Sequence, residues 1–443
     1  MRAQNGIVAT SQTLASVAGL RMLLDGGNAI DAAIAAAATL NVVEPMSTGI
    51  GGDMFALVWI AREQKLYALN GSGRAPAALN IREVKMRGAE EEIPVFGWLP
   101  VTVPGAVDGW AELLQRFGNM SFDQVLAPAI EYAEQGFPVT ELIAGSFARH
   151  QPKLDMNPEA ARIYLQRGEP PRVGQILKQP DLGKSFRALA QDGRDAFYRG
   201  WIADEISKYS HKNGGFITKK DLENHTSEWE EPISTTYKDV TLYECPPNGQ
   251  GIVALSTLNI LEEFDLIEME HNSAEYAHHL IEALKLAFAD AFAHVADPAH
   301  MRVTAEKLLS KEYARARRAL IDPQRAMKTP RAGFVNGSDT IYVSVIDKER
   351  NCVSFINSLY EEFGSGIVVP GTGICLQNRG ANFSLDPNSP NALAPNKRPY
   401  HTIIPAVAFK NKRPWLSYGM VGGFIQPQGH VQVLLNMTDF KMD

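Results

Sequence analysis

The strongest candidate for a catalytic nucleophile in this sequence is Thr340, in the segment GSDTIYVSVID at 337–347. If peptide cleavage makes this threonine N-terminal, one residue carries both a hydroxyl nucleophile and a free α-amine. An α-amine with a pKa of about 7.7–8.0 can accept the hydroxyl proton near neutral pH. Such a nucleophile must be held rigidly, and Thr340 stands at the start of a predicted strand. Without cleavage, the same segment is only a loop that enters a hairpin.

Other residue spacings that could support chemistry are weaker. His278, His279 and Glu282 could place a histidine and a carboxylate on one helix face, but no HExxH is present. The glycines of GIGG at 49–52 precede a strand rather than a helix, which favours tight turns over a phosphate-binding loop. No GxSxG motif occurs, so a serine-hydrolase elbow is not expected. We therefore predict neither a metal nor a cofactor.

The strands that would position Thr340 follow from the residue pattern. β-Forming residues at 341–346, a turn at 347–351 and a returning strand at 352–356 predict a hairpin that begins directly after the threonine. A second apolar run at 54–60 predicts a buried strand. More short strands follow the hairpin, divided by glycine and proline.

The helices are predicted mainly in the first three quarters of the chain. Residues 11–40 indicate two helices, with a stop at Gly26-Gly27 and a new start at Asn28. The second helix is almost all alanine, so we expect it to pack very closely against its neighbours. A long helix is predicted at 272–296, with Asn272 and Glu275 as a capping box. Helices first and strands last suit a layered α/β or α+β fold.

Composition limits the classes of function. The chain has 443 residues, 45% hydrophobic and 21% charged, and a net charge of -7. The acidic balance argues against a nucleic-acid or anionic-membrane partner. Cys245, Cys352 and Cys375 are few and widely spaced, so neither a disulfide framework nor a zinc site is expected. No signal peptide and no run of 18 apolar residues is visible, so we expect a cytoplasmic protein without a membrane span.

Several motifs, in order along the chain, resemble the γ-glutamyltranspeptidase family. Three of them are similar to its large subunit: GGNAIDAAIAAAATLNVVEP at 26–45, GIGGDMFALV at 49–58 and VPGAVDGW at 103–110. Four are similar to its small subunit: SDTIYVSVID at 338–347, FGSGIVVPGTGICLQN at 363–378, PNKRPYHTIIPA at 395–406 and GMVGGFIQPQGH at 419–430. Because these motifs are independent and are spread from residue 26 to residue 430, chance similarity is a poor explanation.

The resemblance implies an α+β fold of the N-terminal-nucleophile type, a four-layer αββα sandwich. It also implies a precursor that cuts itself between Asp339 and Thr340. Residues 1–339 would form a large subunit and residues 340–443 a small subunit, which together remain one structural unit. The family's small subunit usually continues beyond the point that corresponds to residue 443, and a homodimer is a further possibility.

The resemblance assigns the catalytic roles. Thr340 is the nucleophile, and Ser358 falls where the family has a hydroxyl residue near it. Gly422 and Gly423 match the glycine pair whose backbone N–H groups form the oxyanion hole. Glycines suit this role because they allow the backbone to approach a tetrahedral oxyanion closely.

The expected substrate-binding residues depart from the family's usual pattern. Arg379 and Asn382 stand where a glutamine and an aspartate usually hold the α-ammonium of the substrate. Ser72 stands where an arginine usually binds the α-carboxylate, with Arg74 two residues further on. Tyr360 stands where an asparagine often follows the activating hydroxyl. These departures resemble the transpeptidase-like and cephalosporin-acylase-like branch.

The departures bear on the substrate class. His401-Thr402 occupies the place of the family's paired serines. The loss of an acidic partner and the presence of Arg379 disfavour an ammonium group and favour a carboxylate. A glutaryl or other dicarboxylic acyl group is therefore a candidate. The alternative is that Arg379 faces an internal acidic residue and only shapes the pocket.

We therefore predict a self-processing amidohydrolase or acyltransferase that cleaves γ-glutamyl or glutaryl-type amides, such as glutathione-like substrates, through an acyl-threonine intermediate. Its partners would be a small-molecule amide and, for each subunit, the other subunit. Two alternatives stay open. The chain could be an uncleaved, inactive family member that binds small dicarboxylates. It could also be a metal-dependent hydrolase that uses His278, His279 and Glu282.

Overall fold

The computed structural model describes residues 2–328 and 340–443. Its strands are β1 (Ile7–Thr10), β2 (Asp53–Ile60), β3 (Lys65–Gly71), β4 (Phe137–Pro138), β5 (Ile176–Leu177), β6 (Glu228–Glu230), β7 (Ile233–Tyr237), β8 (Val240–Glu244), β9 (Ile341–Ile346), β10 (Cys352–Ser358), β11 (Val368–Val369), β12 (Ile374–Cys375), β13 (Ala406–Lys410) and β14 (Arg413–Tyr418).

The helices of the first half are α1 (Thr13–Leu24), α2 (Ala29–Val43), α3 (Ile81–Met86), α4 (Ala106–Phe117), α5 (Phe122–Gln135), α6 (Glu141–Asp155), α7 (Pro158–Tyr164), α8 (Pro180–Asp192), α9 (Arg194–Tyr198) and α10 (Trp201–Lys212). Those of the second half are α11 (Lys219–Glu223), α12 (Gly251–Leu261), α13 (Ala274–His294), α14 (Ala305–Leu308), α15 (Lys311–Arg318) and α16 (Gln426–Thr438). Short 3-10 turns lie at Pro298–His300, Arg379–Asn382 and Gly423–Ile425.

Two antiparallel sheets form the centre of the described structure. The first has the strand order β1-β9-β10-β2-β3-β6, and the second has the order β14-β13-β8-β7. Both sheets combine strands from before and after Thr340. The predicted hairpin is confirmed as β9 and β10, and the predicted buried strand is confirmed as β2.

The alternation of side chains along β2 shows how the layers stack. The side chains of Met54, Ala56, Val58 and Ile60 belong to the core beneath the N-terminal helices. The side chains of Phe55, Leu57 and Trp59 belong to a second core shared with Val407 and Phe409 of β13. Because successive side chains of a strand point to opposite faces, the first sheet is covered by helices on one face and by the second sheet on the other.

The opposite face of the second sheet is covered by α12, α13 and α16. Their apolar residues share a third core with Ala406 and Ala408 of β13. The layer order is therefore helices, sheet, sheet, helices, and the predicted four-layer αββα sandwich of α+β class is confirmed.

Helix α2 explains how the first layer holds the nucleophile strand. Every residue of this helix is buried, which the run of alanines makes possible, since small side chains let neighbouring elements approach closely. Asn28 and Asp31 form a capping box at its start. The Ala29 N–H donates to Asp347 Oδ2 at 3.0 Å, so the helix start is tied to the residue that follows β9.

Three smaller expectations can be compared with the structure. The predicted cap at Asn272 is wrong: the hydroxyl of Ser273 accepts from the Tyr276 N–H at 3.1 Å and starts α13 one residue later. The three cysteines are buried as free thiols. Over residues 2–328 and 340–443, no helix is both long and apolar enough to cross a membrane. The expected cleavage partner, Asp339, lies outside the described residues.

Candidate active site

Thr340 lies immediately before β9, and its side chain is buried next to that of Ser358 at the end of β10. Thr340 is 1% exposed, and its Oγ1 is 3.1 Å from Ser358 Oγ. The hairpin register explains the contact. Asn357 pairs with Ile341 in an antiparallel ladder, so the residue after Asn357 lies opposite the residue before Ile341. Two residues that are 18 positions apart in sequence thus meet at one point.

The hydroxyl of Ser358 is held by two N–H donors. The Tyr360 N–H donates to Ser358 Oγ at 2.9 Å, and Arg379 Nη2 donates to the same oxygen at 3.2 Å. A hydroxyl has one proton and two acceptor lone pairs. These two donors hold Ser358 Oγ in place beside Thr340 Oγ1, and either hydroxyl can donate in the bond between them.

Arg379 supplies a positive charge to the site. Its side chain is 0% exposed, and Nη1 donates to Thr402 Oγ1 at 2.6 Å. The Tyr360 ring lies against the guanidinium, with its centroid 4.4 Å from Cζ. Burial lowers the pKa of Arg379 to about 10, and the charge of Asp53 opposes this change. The guanidinium therefore remains positive at neutral pH.

Tyr360 adopts a backbone conformation that side chains rarely take. Its φ is 83°, in the left-handed region that favours glycine. This conformation turns the Tyr360 N–H back to Ser358 Oγ and directs the ring against Arg379. Burial raises the pKa of the Tyr360 hydroxyl to about 12. At neutral pH the side chain is therefore uncharged.

Asp53 is a central residue of the site that sequence reasoning did not select. It is fully buried at the start of β2 and pairs across the sheet with Ser358. Its Oδ1 accepts from the N–H of Gly73 at 2.9 Å, the N–H of Gly105 at 3.1 Å and Gln377 Nε2 at 2.8 Å. The only available signal was a charged residue between a glycine cluster and a buried strand.

His401 contacts the second oxygen of Asp53. Its Nε2 is 3.2 Å from Asp53 Oδ2, and both side chains are fully buried. Burial lowers the pKa of His401 well below its usual value, and the charges of Arg379 and Arg398 lower it further. His401 is therefore neutral. It precedes Thr402, whose hydroxyl accepts from Arg379.

The glycines at 49–52 form turns, as predicted, and they also bring two site loops together. A side chain on Gly52 would come within 2.2 Å of the Ser358 carbonyl oxygen, and one on Gly51 within 2.0 Å of the Cys375 oxygen. The Gln377 N–H donates to the Gly51 carbonyl at 2.9 Å. Only glycine therefore allows these backbones to approach, which is a reason for this cluster beside the site.

Gly422 and Gly423 form a turn at the start of α16. Their φ values are 109° and 63°, a region that glycine enters without steric cost. The N–H groups at the start of a helix have no intrahelical acceptor and carry the positive end of the helix dipole. This turn therefore has the conformation and the polarity that an oxyanion hole requires.

Two contacts place this turn relative to the rest of the site. Gln250 Nε2 donates to the carbonyl oxygens of Thr402 and Gly423, both at 2.8 Å. A side chain on Gly419 would come within 2.4 Å of the ring of Tyr342, which is two residues after the nucleophile. The glycine turn and the Arg379 partner Thr402 are thus bridged by one amide.

The remaining predicted substrate contacts differ in their surroundings. Ser72 is buried, and its hydroxyl donates to Asn70 Oδ1 at 2.8 Å. Arg74 forms ion pairs with Asp297 at 3.1 Å and Glu228 at 2.8 Å, so its charge is already compensated. Asn382 shares a 3-10 turn with Arg379, and its buried Nδ2 has no acceptor among the described residues.

The residues of the metal-site alternative do not converge. His278 Nε2 lies 2.8 Å from the Asp322 carbonyl, and His279 Nδ1 lies 2.8 Å from the Glu275 carbonyl. Glu282 accepts from Lys285 Nζ at 2.6 Å. Among the described residues, no three histidine, cysteine, aspartate or glutamate side chains are grouped to hold a metal ion.

The αββα layers and a buried threonine at the start of a central strand define an N-terminal-nucleophile hydrolase. The profile of the γ-glutamyltranspeptidase family matches residues 15–443. The chain belongs to this family. It is 42% identical over 441 residues to the glutathione hydrolase-like YwrD proenzyme of Bacillus subtilis (strain 168), with 98% of this chain and 82% of the relative covered.

Two further comparisons agree with this assignment. The chain is 38% identical over 430 residues to the oxamate amidohydrolase proenzyme of Klebsiella pneumoniae, with 96% of this chain and 80% of the relative covered. The structure of a cephalosporin acylase from Bacillus halodurans superposes with a TM-score of 0.94 at 47% identity, covering 100% of this chain and 82% of that one.

These comparisons identify the protein as a self-processing amidohydrolase of the N-terminal-nucleophile type. Like its relatives, it acts on amides as an enzyme of two processed subunits. The uncleaved, inactive alternative is not favoured, because the relatives matched over most of their length are proenzymes of hydrolases and acylases. The position of the cut and the roles of individual site residues stay predictions from the sequence and the geometry.

Proposed function

We propose that this enzyme hydrolyses monoamides of dicarboxylic acids, with glutaryl amides as the leading class, through an ester on Thr340. The observation that carries the proposal is the position of Arg379. Its guanidinium is fully buried and donates to the same Ser358 oxygen that contacts Thr340 Oγ1. A fixed positive charge next to the nucleophile favours an acyl group that ends in a carboxylate.

The hydrogen-bond inventory of Arg379 supports this role. A guanidinium has five N–H donors in a planar fork, and a carboxylate can accept two of them in parallel. Arg379 uses one donor for Thr402 and one for Ser358, whereas its buried Nε–H has no acceptor among the described residues. Unused donors in a buried site favour a ligand that supplies acceptors, since a buried donor without a partner is costly.

The charge pattern also disfavours a γ-glutamyl group relative to a glutaryl group. The two acyl groups share a terminal carboxylate, but γ-glutamyl adds an α-ammonium. Position 382 holds a neutral asparagine, and Arg379 brings a like charge. Like charges in a partly desolvated site weaken binding. Both groups would therefore bind through their carboxylates, with the glutaryl group favoured.

The chemistry follows from the mature N-terminus. Thr340 Oγ1 attacks the amide carbonyl carbon, and its proton passes to the α-amine of the same residue. The N–H groups of Gly422 and Gly423 would hold the oxyanion. The C–N bond then breaks as the amine leaves with that proton. Water hydrolyses the ester, which releases the dicarboxylic acid and restores Thr340.

The names of relatives support a range of acyl lengths. One relative is an oxamate amidohydrolase, and oxamate is the monoamide of the shortest dicarboxylic acid. A structural relative is a cephalosporin acylase. A second candidate activity, hydrolysis of γ-glutamyl amides such as glutathione, is favoured by the 42% identity to a glutathione hydrolase-like protein.

The test compares anilides that differ only at the far end of the acyl group. We would measure kcat/KM for glutaryl p-nitroanilide, for its analogue with a primary amide in place of the carboxylate, and for γ-glutamyl p-nitroanilide, with oxamate as a short substrate. We expect the glutaryl anilide to exceed its uncharged analogue by about tenfold or more, the scale of a hydrogen bond to a charged group. Equal values for the two would refute the proposal.

Variants test whether Arg379 causes the preference for the glutaryl anilide. Arg379→Gln should abolish the preference for the glutaryl anilide over its uncharged analogue. Adding Asn382→Asp should raise γ-glutamyl activity while glutaryl activity stays low. Arg74→Gln tests the other candidate arginine, whose charge is already paired, and should retain the preference. If both activities of the double variant fall together, Arg379 only shapes the pocket.

A further inference from the structure

Asp53 lies directly behind the residues that contact the nucleophile. Its carboxylate is fully buried and receives three donors on Oδ1, from Gly73, Gly105 and Gln377. These donors come from three separate segments of the chain. The carboxylate is therefore fixed in position, and it cannot turn toward a substrate without losing these bonds.

The contact with His401 does not neutralise this carboxylate. His401 is neutral in its buried position, since burial opposes its protonation. The Ile403 N–H donates to His401 Nδ1 at 3.4 Å, which leaves the proton on Nε2, facing Asp53 Oδ2 at 3.2 Å. The histidine is thus a neutral donor to Asp53.

The charge that balances Asp53 is Arg379. Among the described residues, the guanidinium of Arg379 donates to two hydroxyl oxygens and to no carboxylate. Both residues lie around Ser358, since Asp53 is its cross-strand partner and Arg379 donates to its hydroxyl. Burial raises the pKa of Asp53 to about 6, and the charge of Arg379 opposes this rise; burial lowers the pKa of Arg379, and the charge of Asp53 opposes that fall. The nearby Arg398 pairs with Glu228 at 2.8 Å, a carboxylate that it shares with Arg74. With both residues ionised, the charges of Asp53 and Arg379 offset each other.

We propose that Asp53 is a specificity-determining positioning residue, whose buried carboxylate is the countercharge of Arg379 and limits how strongly the site selects carboxylate-bearing acyl groups. This inference rests on the proposed function, in which Arg379 binds the far carboxylate of the substrate. Asp53 repels that carboxylate and attracts the guanidinium. Removing its charge therefore strengthens the selection of anions, and it weakens the binding of the α-ammonium of a γ-glutamyl group.

The experiment uses Asp53→Asn in the processed, full-length enzyme. Asparagine retains an oxygen for the three donors on Oδ1 but removes the charge. The ratio of kcat/KM for glutaryl p-nitroanilide to that for its uncharged amide analogue should rise on the order of tenfold. The rise should come from a lower KM for the glutaryl anilide. The ratio of γ-glutamyl to glutaryl turnover should fall.

Gln377→Ala is the matched control. It removes one hydrogen bond to Asp53 and leaves the charge in place. If Asp53 acted only by holding its three hydrogen-bond donors in place, both variants would lower kcat for all three anilides to similar extents. The ratios between the anilides would then be unchanged. That result would overturn the inference, as would a fall of the glutaryl ratio in Asp53→Asn.

The failures of the two proposals are distinguishable. If the wild-type enzyme does not prefer the glutaryl anilide over its uncharged analogue, the proposed function fails. If the wild type shows the preference and Asp53→Asn does not increase it, only the inference about Asp53 fails. Should Asp53→Asn not fold or process, the double variant Asp53→Asn with Arg379→Gln decides: recovery of folding supports a countercharge, and continued failure refutes it.

Discussion

Thr340 lies beside Ser358, and the hydroxyl of Ser358 in turn accepts hydrogen bonds from the Tyr360 N–H and from Arg379. At the scale of single residues, this arrangement fixes a second hydroxyl oxygen 3.1 Å from the nucleophile oxygen. It also brings a positive charge next to the reacting group. A threonine alone would be a weak nucleophile, and its activation depends on a base, which here is expected to be its own α-amine after processing.

A prediction at this scale concerns the nucleophile. Thr340→Ala should remain a single chain of 48.6 kDa on a denaturing gel and should hydrolyse no anilide, because it lacks the attacking oxygen. Thr340→Ser retains a hydroxyl and should still be cut into two fragments. An active wild-type enzyme that runs as one uncut chain would contradict the mechanism, as would processing of the alanine variant.

At the scale of elements, the turn at Gly422-Gly423 shows how a helix start becomes part of a site. Both glycines have positive φ, so a β-branched residue there would be strained. The turn leads through the 3-10 turn Gly423–Ile425 into α16. Gln250, at the start of α12, holds the Gly423 carbonyl. Two helix starts from distant parts of the chain therefore position one peptide unit.

The prediction at this scale is a large kinetic effect of Gly423→Val. The turn must change its conformation to accept valine, which moves the N–H away from the oxyanion. The loss of one such donor typically lowers kcat about 10²–10³-fold. Steady-state kinetics of the folded variant, with thermal melting as the stability measure, would test this expectation.

Gly371→Val is the matched control for this prediction. Gly371 has a similar φ of +70° and open space where a side chain would be, but it lies in the turn between β11 and β12. Gly371→Val should lose about 1–3 kcal/mol for one strained backbone conformation, and Gly423→Val at least as much, because Gly423 is buried whereas Gly371 is exposed. Only the Gly423 variant should lose most of its kcat. Equal kinetic effects would show that the glycine turn is structural.

At the scale of the whole molecule, the expected cleavage site divides the chain but not the fold. Strands β9 and β10, which belong to the expected small subunit, lie between β1 and β2 of the expected large subunit in the first sheet. In the second sheet, β13 pairs with β8. The cores also combine residues from both segments. Separation of the subunits would therefore break both sheets and expose the cores that they share.

This interleaving predicts that the processed subunits stay together. In size-exclusion chromatography without denaturant, the cleaved enzyme should elute at the same volume as uncleaved Thr340→Ala. On a denaturing gel, the same fraction should separate into two fragments. Exposing either subunit would uncover buried apolar surface, which is costly in water. Elution of the wild-type fragments in separate peaks would refute the expectation of one structural unit.

The sequence by itself determined the elements and the family. The β9–β10 hairpin, the buried strand β2 and the alanine-rich helix α2 follow from local patterns of residue type, since strand and helix periods are visible in one short window. The seven motifs indicated the family and its αββα fold, which the comparisons confirmed. The start of α13 was missed by one residue, because Asn272 and Ser273 are both good capping residues.

Only the tertiary structure decided which side chains share the site. Asp53 and Gln377 are 324 positions apart in sequence, and they meet because β2 lies next to β10 and the 363–378 segment contacts the glycines at 49–52. Likewise, Arg379 proved to have hydroxyl partners and Asp53 as its countercharge, whereas Arg74 proved to be paired with two acids. Charge compensation depends on the distances between charged groups in the folded chain, and a local pattern of residues does not reveal those distances.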